Sequence, residues 1–480
     1  MIITQRIAAT LLLASLSFPA LLSSPLNAAE DGVLIEVGTP FRDNAVLQQQ
    51  MPVAVWGRSL PGVKITIAFG TQTKVTTAKK DGRWKVTLDP MPADKLTSVN
   101  ESPEGQTLTI VGELDGSKTV KTVKNILIGE VWLCSGQSNM AGRFGRDPYP
   151  RGSLATADFP ALRRLEDDEW IVSTPETAGR FSRVGFCFAR EVQRELMVPV
   201  GMLIAATGGS PIESWMRTLP QELQSPQRKR DPNRETNYER KIAPLVGYGM
   251  RGSLWYQGEG NAKDGREYFL KMQSMIVDWR KSWGQGDFPF YFVQIASIGS
   301  SPTDDPGGGD GRAKIRNAQL EALAIKNTGM AVAIDVGAIH EHPLNKYDVG
   351  IRLARWALHN DYGQDDLVPS GPIYKSHKIE GAAIRVSFDY AQNGLMLASK
   401  ADYVPAKPTP AAKMPWLSIK AKDGSWHWAD GKLDGPDLLV SSKSVKEPIA
   451  VRYAYTQYPL GCNLYNTDGL PASPFSTCGY

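Results

Sequence analysis

A chain of 480 residues is too long for one ordinary hydrophobic core and predicts two or three domains. Its 42% hydrophobic and 22% charged content is that of a water-soluble globular protein, not of a disordered chain. The formal net charge of +4 has both signs spread along the chain, with no basic stripe to hold nucleic acid and no long block of one sign.

The first residues differ from the rest. Arg6 precedes an apolar run from Ile7 to Leu22, and Ser24-Pro25-Leu26-Asn27-Ala28-Ala29 follows. A basic start, an apolar middle and small residues form a secretory signal peptide, so residues 1–29 are expected to be cleaved near Ala28 or Ala29. The run is short for a membrane span. The mature chain is therefore expected to be exported, periplasmic or secreted, and free of the membrane. In such a compartment Cys462 and Cys478 are expected to bridge one C-terminal loop, contributing about 3 kcal/mol. Cys134 and Cys187 sit in apolar contexts and are read as buried thiols, with a second bridge the alternative.

From about 30 to 125 the pattern alternates. Val63, Ile65, Ile67 and Phe69 share one face, as do Trp84, Val86 and Leu88 after an Asp81-Gly82 turn; Asp115-Gly116 signals another hairpin. This predicts an antiparallel β-sandwich. From 126 to 365 strand-like runs alternate with helical stretches. The strands are Val131 to Cys134, Val200 to Thr207, Ser253 to Gln257, Phe288 to Ile295 and Met330 to Val336. The helices are Phe181 to Met197, Arg266 to Trp283, Arg312 to Ile325 and Lys346 to Asn360. Such alternation predicts a parallel sheet covered on both faces, with ligands at the carboxyl ends of its strands. From 366 to 480 short strands return, with Ile384, Val386 and Phe388 in one set and Val451, Tyr453 and Tyr455 in another. Trp426 and Trp428 share a strand face and are expected in the core. The glycine-rich stretch Pro306 to Gly311 is not a phosphate loop, because Arg312 stands where lysine is needed; it is read as a loop near the mouth of the site.

Four polar clusters follow strands of this sheet: Gly136-Gln137-Ser138-Asn139, Thr207-Gly208-Gly209-Ser210, Gly258-Glu259-Gly260-Asn261, and Ile339-His340-Glu341-His342-Pro343 after Asp335. Acyl transfer needs a hydroxyl nucleophile, a base and donors for an oxyanion. Ser138 supplies the hydroxyl. Of the five histidines, only His340 and His342 lie in a strand-end loop of the α/β region. They are two residues apart, face opposite ways when extended, and are not separated by local pattern alone. The donors are the Ser138 N–H, a Gly208 or Gly209 N–H, and the Asn261 side chain. Two imidazoles without further clustered ligands give no metal site, and no cofactor is expected.

Trp132-Leu133-Cys134-Ser135-Gly136-Gln137-Ser138-Asn139-Met140 resembles the nucleophile block of the sialate O-acetylesterase family, carbohydrate esterases of the broader SGNH hydrolase group. Gly208 to Trp215, Trp255 to Ala262, and His342-Pro343-Leu344-Asn345-Lys346 with Val349 to Ala354 are similar to its later blocks. Asn463 to Asn466 with Gly469 to Phe475 is similar to its C-terminal signature, and Asn44 to Gln48 with Val55-Trp56-Gly57 to its beginning. The resemblance implies a multidomain α/β plus all-β protein. A central SGNH-like (flavodoxin-like) parallel-sheet α/β hydrolase domain over 126–365 is flanked by β-sandwich-like domains over 30–125 and 366–480.

The resemblance also implies Ser138 as nucleophile, His342 as base and Asn261 as oxyanion donor, and it passes over Ser210. The expected function is an exported serine esterase that removes O-acetyl groups from sugars, sialic acid first, through an acetyl-enzyme. Acetylated xylan or another plant or algal glycan is the alternative substrate, and an inactive carbohydrate-binding protein on an esterase scaffold the alternative of another class. Two positions depart from the pattern: Gly260 where the family usually has serine, and Ile339 where the wider group often has aspartate. The acid behind His342 is then Asp335 or Glu259, or a backbone carbonyl serves and the pair is a dyad.

Overall fold

The computed structural model describes residues 33–145, 154–224, 235–299, 304–337 and 339–480; the expected signal peptide lies outside them. In the N-terminal region Val53–Ser59 pairs antiparallel with Ile35–Val37 and Arg83–Leu88, and Lys64–Phe69 with Gln72–Thr77 and Gln106–Leu114. Ile65, Ile67, Phe69, Trp84, Val86 and Leu88 are all buried, as the two-residue repeat of a strand requires. Asp115 and Gly116 both take positive φ, 48° and 85°, the geometry of a tight hairpin whose twist matches its strands.

That hairpin leads into the longest strand, β1 (Ser117–Gly136). Its first half pairs antiparallel with Gln106–Leu114; its second half enters a different sheet, where its neighbours run parallel. The change falls at Asn125–Ile126, where a mostly exposed pattern becomes eleven consecutive buried residues. The N-terminal region and the central sheet are thus joined by one continuous strand, which fixes their relative placement.

The central sheet continues with β2 (Phe159–Glu166), β3 (Glu169–Ser173), β4 (Val200–Ala206), β5 (Gly252–Tyr256), β6 (Phe290–Gln294) and β7 (Thr328–Val332), in the order β3-β2-β4-β1-β5-β6-β7. All neighbours from β2 to β7 are parallel; β3 folds back antiparallel on β2. The hairpin β2–β3 is absent from the expected elements. Its pattern is masked by Arg163 and Arg164, both buried in β2: Arg163 donates to Asn125 O at 2.5 Å, and Arg164 pairs with Glu166. Short α1 (Ser138–Ala141) follows β1. Helices α2 (Arg183–Leu196) and α5 (Lys346–Tyr362) pack on one face; α3 (Arg266–Trp283) and α4 (Gly311–Glu321) cover the other. Val131 and Leu133 of β1 belong to the α3–α4 core, Trp132 and Cys134 to the α2–α5 core. Covering both faces is why this strand is apolar without alternation.

The C-terminal region forms small antiparallel sheets around Ile384, Val386, Phe388, Val451 and Tyr453. It is fastened to the central sheet by Arg316 of α4, fully buried, which donates to Thr456 O at 2.7 Å and Gln457 O at 3.1 Å as well as to Ile295 O and Ala296 O. Two expectations fail here. All four cysteines are free thiols, so the Cys462–Cys478 bridge is not formed: Cys462 is partly buried against the core while Cys478 stands exposed. Trp426 and Trp428 are not in the core: Trp428 is 40% exposed, and Arg452 lies 4.4 Å over the Trp426 ring. Their strand, Trp426–Trp428, is an edge strand with one free side.

Candidate functional site

The site forms where β1 and β5 end side by side. Gly136 has φ +132°, and a Cβ there would lie 2.2 Å from Tyr256 O, so only glycine allows the two strands this approach. Gln137 then pins the loops together, its N–H donating to Tyr256 O at 3.0 Å and its side-chain oxygen accepting from Gly260 N at 3.1 Å. Ser138 follows, presented at the sheet edge. Gly208, after β4, is its neighbour: a Cβ on Gly208 would sit 3.8 Å from Ser138 Cβ. On this side a cleft of about 890 Å³ opens, lined by Thr207, Ser214, Asn237 and Arg240 among others.

His342 reaches Ser138 from the loop after β7, with Nε2 2.8 Å from Oγ across 204 residues of sequence. His340 is exposed and makes no such contact. The imidazole is itself exposed, so its place is set by its backbone. Asn139 and Lys346 set that backbone. Asn139 donates to Glu341 O at 2.9 Å, and Lys346 Nζ donates to Pro343 O at 2.7 Å and to Asn139 Oδ1 at 2.6 Å. Neither residue stands out in the sequence, although both lie inside the blocks named above. A buried lysine is invisible to pattern because lysine is ordinarily exposed.

The two expected acids have different places. The Asp335 side chain is 2% exposed and takes both guanidinium nitrogens of Arg352, at 2.6 and 2.8 Å, and Tyr465 OH at 3.1 Å. Arg352 also donates to Val332 O, so this cluster fastens α5 and the strand Leu464–Asn466 to the end of β7. Among the described residues no hydrogen bond joins Asp335 to His342; its partners are Arg352 and Tyr465. Glu259 lies beside the pair: its Oε1 accepts from Asn139 Nδ2 at 2.6 Å, and its Oε2 has no hydrogen-bond partner among the described residues. Burial raises its pKa above the ordinary carboxylate value.

Asn261 also departs from expectation. Its oxygen accepts from Ile212 N at 2.9 Å and Gln257 Nε2 at 2.7 Å; its amide donates to Glu213 at 3.0 Å and Asp264 at 2.8 Å. All its capacity is spent bracing the loops after β4 and β5, which leaves no free donor. Ser138 N–H and Gly208 N–H have no partner among the described residues. Gly209, at φ +67°, makes the turn that follows. Ser210 Oγ donates to Thr207 O and accepts from Trp215 Nε1, a structural use. The glycine-rich stretch is anchored, with Gly307 O accepting from Arg452 and Gly309 N donating to Tyr455 O; Arg312 just beyond it pairs with Glu341 at 3.6 Å, beside His342. An imidazole in contact with a hydroxyl, beside two unpaired N–H groups, is the arrangement that acyl transfer uses.

The family described as carbohydrate esterase, sialic acid-specific acetylesterase matches residues 128–359, which include every loop of this site. The chain is 32% identical to a structurally characterised carbohydrate acetylesterase from Xanthomonas citri, over 92% of this chain and 99% of that one, with a TM-score of 0.81. The chain belongs to the sialate O-acetylesterase family. Members of that name from Homo sapiens and Mus musculus are 28% and 27% identical to it, covering 92% and 91% of this chain and 92% and 93% of theirs. This family member is a carboxylic ester hydrolase acting on acetyl esters of sugars, and the breadth of the likeness extends to the β-regions on both sides of the central sheet.

Proposed function

We propose that this esterase is exported and removes O-acetyl groups from sialic acid through an acetyl-enzyme on Ser138. The 2.8 Å contact between His342 Nε2 and Ser138 Oγ carries the reading. The parallel run β4-β1-β5-β6-β7 has the two-one-three-four-five order of flavodoxin-like sheets and supports the SGNH reading. Export is supported by the signal-like residues 1–29.

In the first half-reaction Ser138 Oγ attacks the acetyl carbonyl and its proton passes to Nε2 of His342. The carbonyl oxygen gains the charge, within reach of the N–H groups of Ser138 and Gly208. Each such donor is worth about 2.7–4 kcal/mol in a transition state. The ester C–O bond then breaks, and the imidazolium returns its proton to the departing sugar oxygen. In the second half-reaction water, deprotonated by His342, displaces the serine and releases acetate. Glu259 acts on the pair through Asn139, which links it to the Ser138 turn, with no hydrogen bond to His342 among the described residues. Glu259→Gln is expected to lower kcat by about 10²-fold. Asp335→Asn is expected to cost about 1–3 kcal/mol of stability and leave kcat nearly unchanged. Parallel kinetics and urea unfolding of the two variants check this, and the reverse pattern would return the role to Asp335.

Acetate release from O-acetyl sialic acid and from acetylated xylan, with intact-protein mass spectrometry of acid-quenched reactions, tests the whole reading. The expected result is preference for the sialic acid and a mass gain of one acetyl group on Ser138. Faster turnover of xylan would overturn the substrate, and a quenched enzyme that never carries acetyl would overturn the covalent route.

A further inference from the structure

We propose that Lys346 is a positioning residue for the esterase reaction: it holds the backbone of His342 within reach of Ser138 by bridging Pro343 O to the side chain of Asn139. The carbonyls on both sides of His342 are held by this one unit. Glu341 O accepts from Asn139 Nδ2 at 2.9 Å and Pro343 O from Lys346 Nζ at 2.7 Å, while the two side chains meet at 2.6 Å. Asn139 directly follows Ser138, so the clamp ties the hydroxyl's turn to the imidazole's loop. The third face of the ammonium lies 5.4 Å over the Tyr256 ring, where a cation is favoured. Asn139 also donates to Glu259 at 2.6 Å, so its amide dipole lies in line between a buried anion and a buried cation. Elsewhere the loop is exposed at Ile339, 63%, and Leu344, 72%, and its other ties are the Arg312–Glu341 pair at 3.6 Å and Asn345, which donates to Asp402 O at 2.7 Å. Among the described residues the His342 ring hydrogen-bonds only to Ser138, so its position depends on how its backbone is held.

The groups facing Lys346 are Glu259 and Tyr256 from β5 and its following loop and Arg183 from α2, with Arg312 acting on Glu259. Burial, aided by Arg183 and opposed by Glu259, brings Lys346 down to about 7. The sign follows: below that value the ammonium grips both oxygens, and above it the amine loses its charge and the clamp weakens. A serine–histidine esterase without such a clamp rises with pH to a plateau, since only the base must lose a proton. This one is expected to fall again on the alkaline side.

The inference rests on Ser138 and His342 doing the chemistry, which a fully active Ser138→Ala would refute whatever Lys346 does. The experiment is kcat and KM for a small acetyl ester between about pH 6 and about pH 9, on wild type and Lys346→Met. Wild type is expected to show the alkaline fall. Lys346→Met is expected to lose about 10²-fold in kcat with KM nearly unchanged, and to lack that fall. A variant within about threefold of wild type in kcat, or one that retains the alkaline fall, overturns the proposal. If Lys346→Met does not fold, the wild-type profile decides alone: a flat rate up to about pH 9 overturns it.

Discussion

Ser138→Ala is expected to lower kcat on a small acetyl ester by roughly 10⁶-fold while leaving the fold intact. The hydroxyl makes a single hydrogen bond among the described residues, to His342, so its removal leaves no other buried group unpaired. Stability should change by no more than about 0.5 kcal/mol. His342→Ala is expected to cost nearly as much in rate, and the double variant little more than either alone, because the two act as one unit. Turnover measured beside thermal unfolding separates lost chemistry from lost structure. A Ser138→Ala enzyme that keeps a tenth of its activity would require another nucleophile.

The second large effect lies within β1, the strand that leads to Ser138. Glu130 is fully buried and takes Arg251 at 2.9 Å through both oxygens, together with Gln48 at 3.0 Å, Gln49 at 2.7 Å and Tyr362 OH at 2.9 Å. These partners come from the N-terminal region, from the approach to β5 and from the end of α5. The carboxylate therefore gathers three separated segments beneath β1. Glu130→Ala would leave the Arg251 guanidinium and three polar groups without their acceptor. A loss of about 3–5 kcal/mol is expected. The urea midpoint should fall with an unchanged slope, while kcat of the remaining folded protein stays near wild type. A loss below about 1 kcal/mol would mean that water replaces the carboxylate at no cost.

These two results bear on different links between sequence and structure. The strand Val131 to Cys134 is legible because both of its faces are buried and its residues are apolar without interruption. The helix from Arg266 to Trp283 is legible to the residue, since its apolar side repeats at helical spacing and Gly284 ends it at φ +69°. The hairpin β2–β3 is not legible, because Arg163 and Arg164 lie buried where pattern expects solvent. Their cost is offset by Asn125 O and Glu166, partners that only the fold supplies.

By itself the sequence determined most of the strands and helices of the central sheet, though not the hairpin β2–β3, the convergence of four polar loops on one sheet edge, and Ser138 as the hydroxyl among them. These depend on periodicity and turn chemistry, which act over a few residues. Only the tertiary structure decided which partner each polar group takes. It gave Asp335 to Arg352, spent the Asn261 amide on Glu213 and Asp264, and buried Lys346 between the two halves of the site. The physical reason is that a hydrogen bond is settled by distance and by competition among all donors and acceptors nearby. Groups 204 residues apart in the chain become neighbours only when the sheet has assembled.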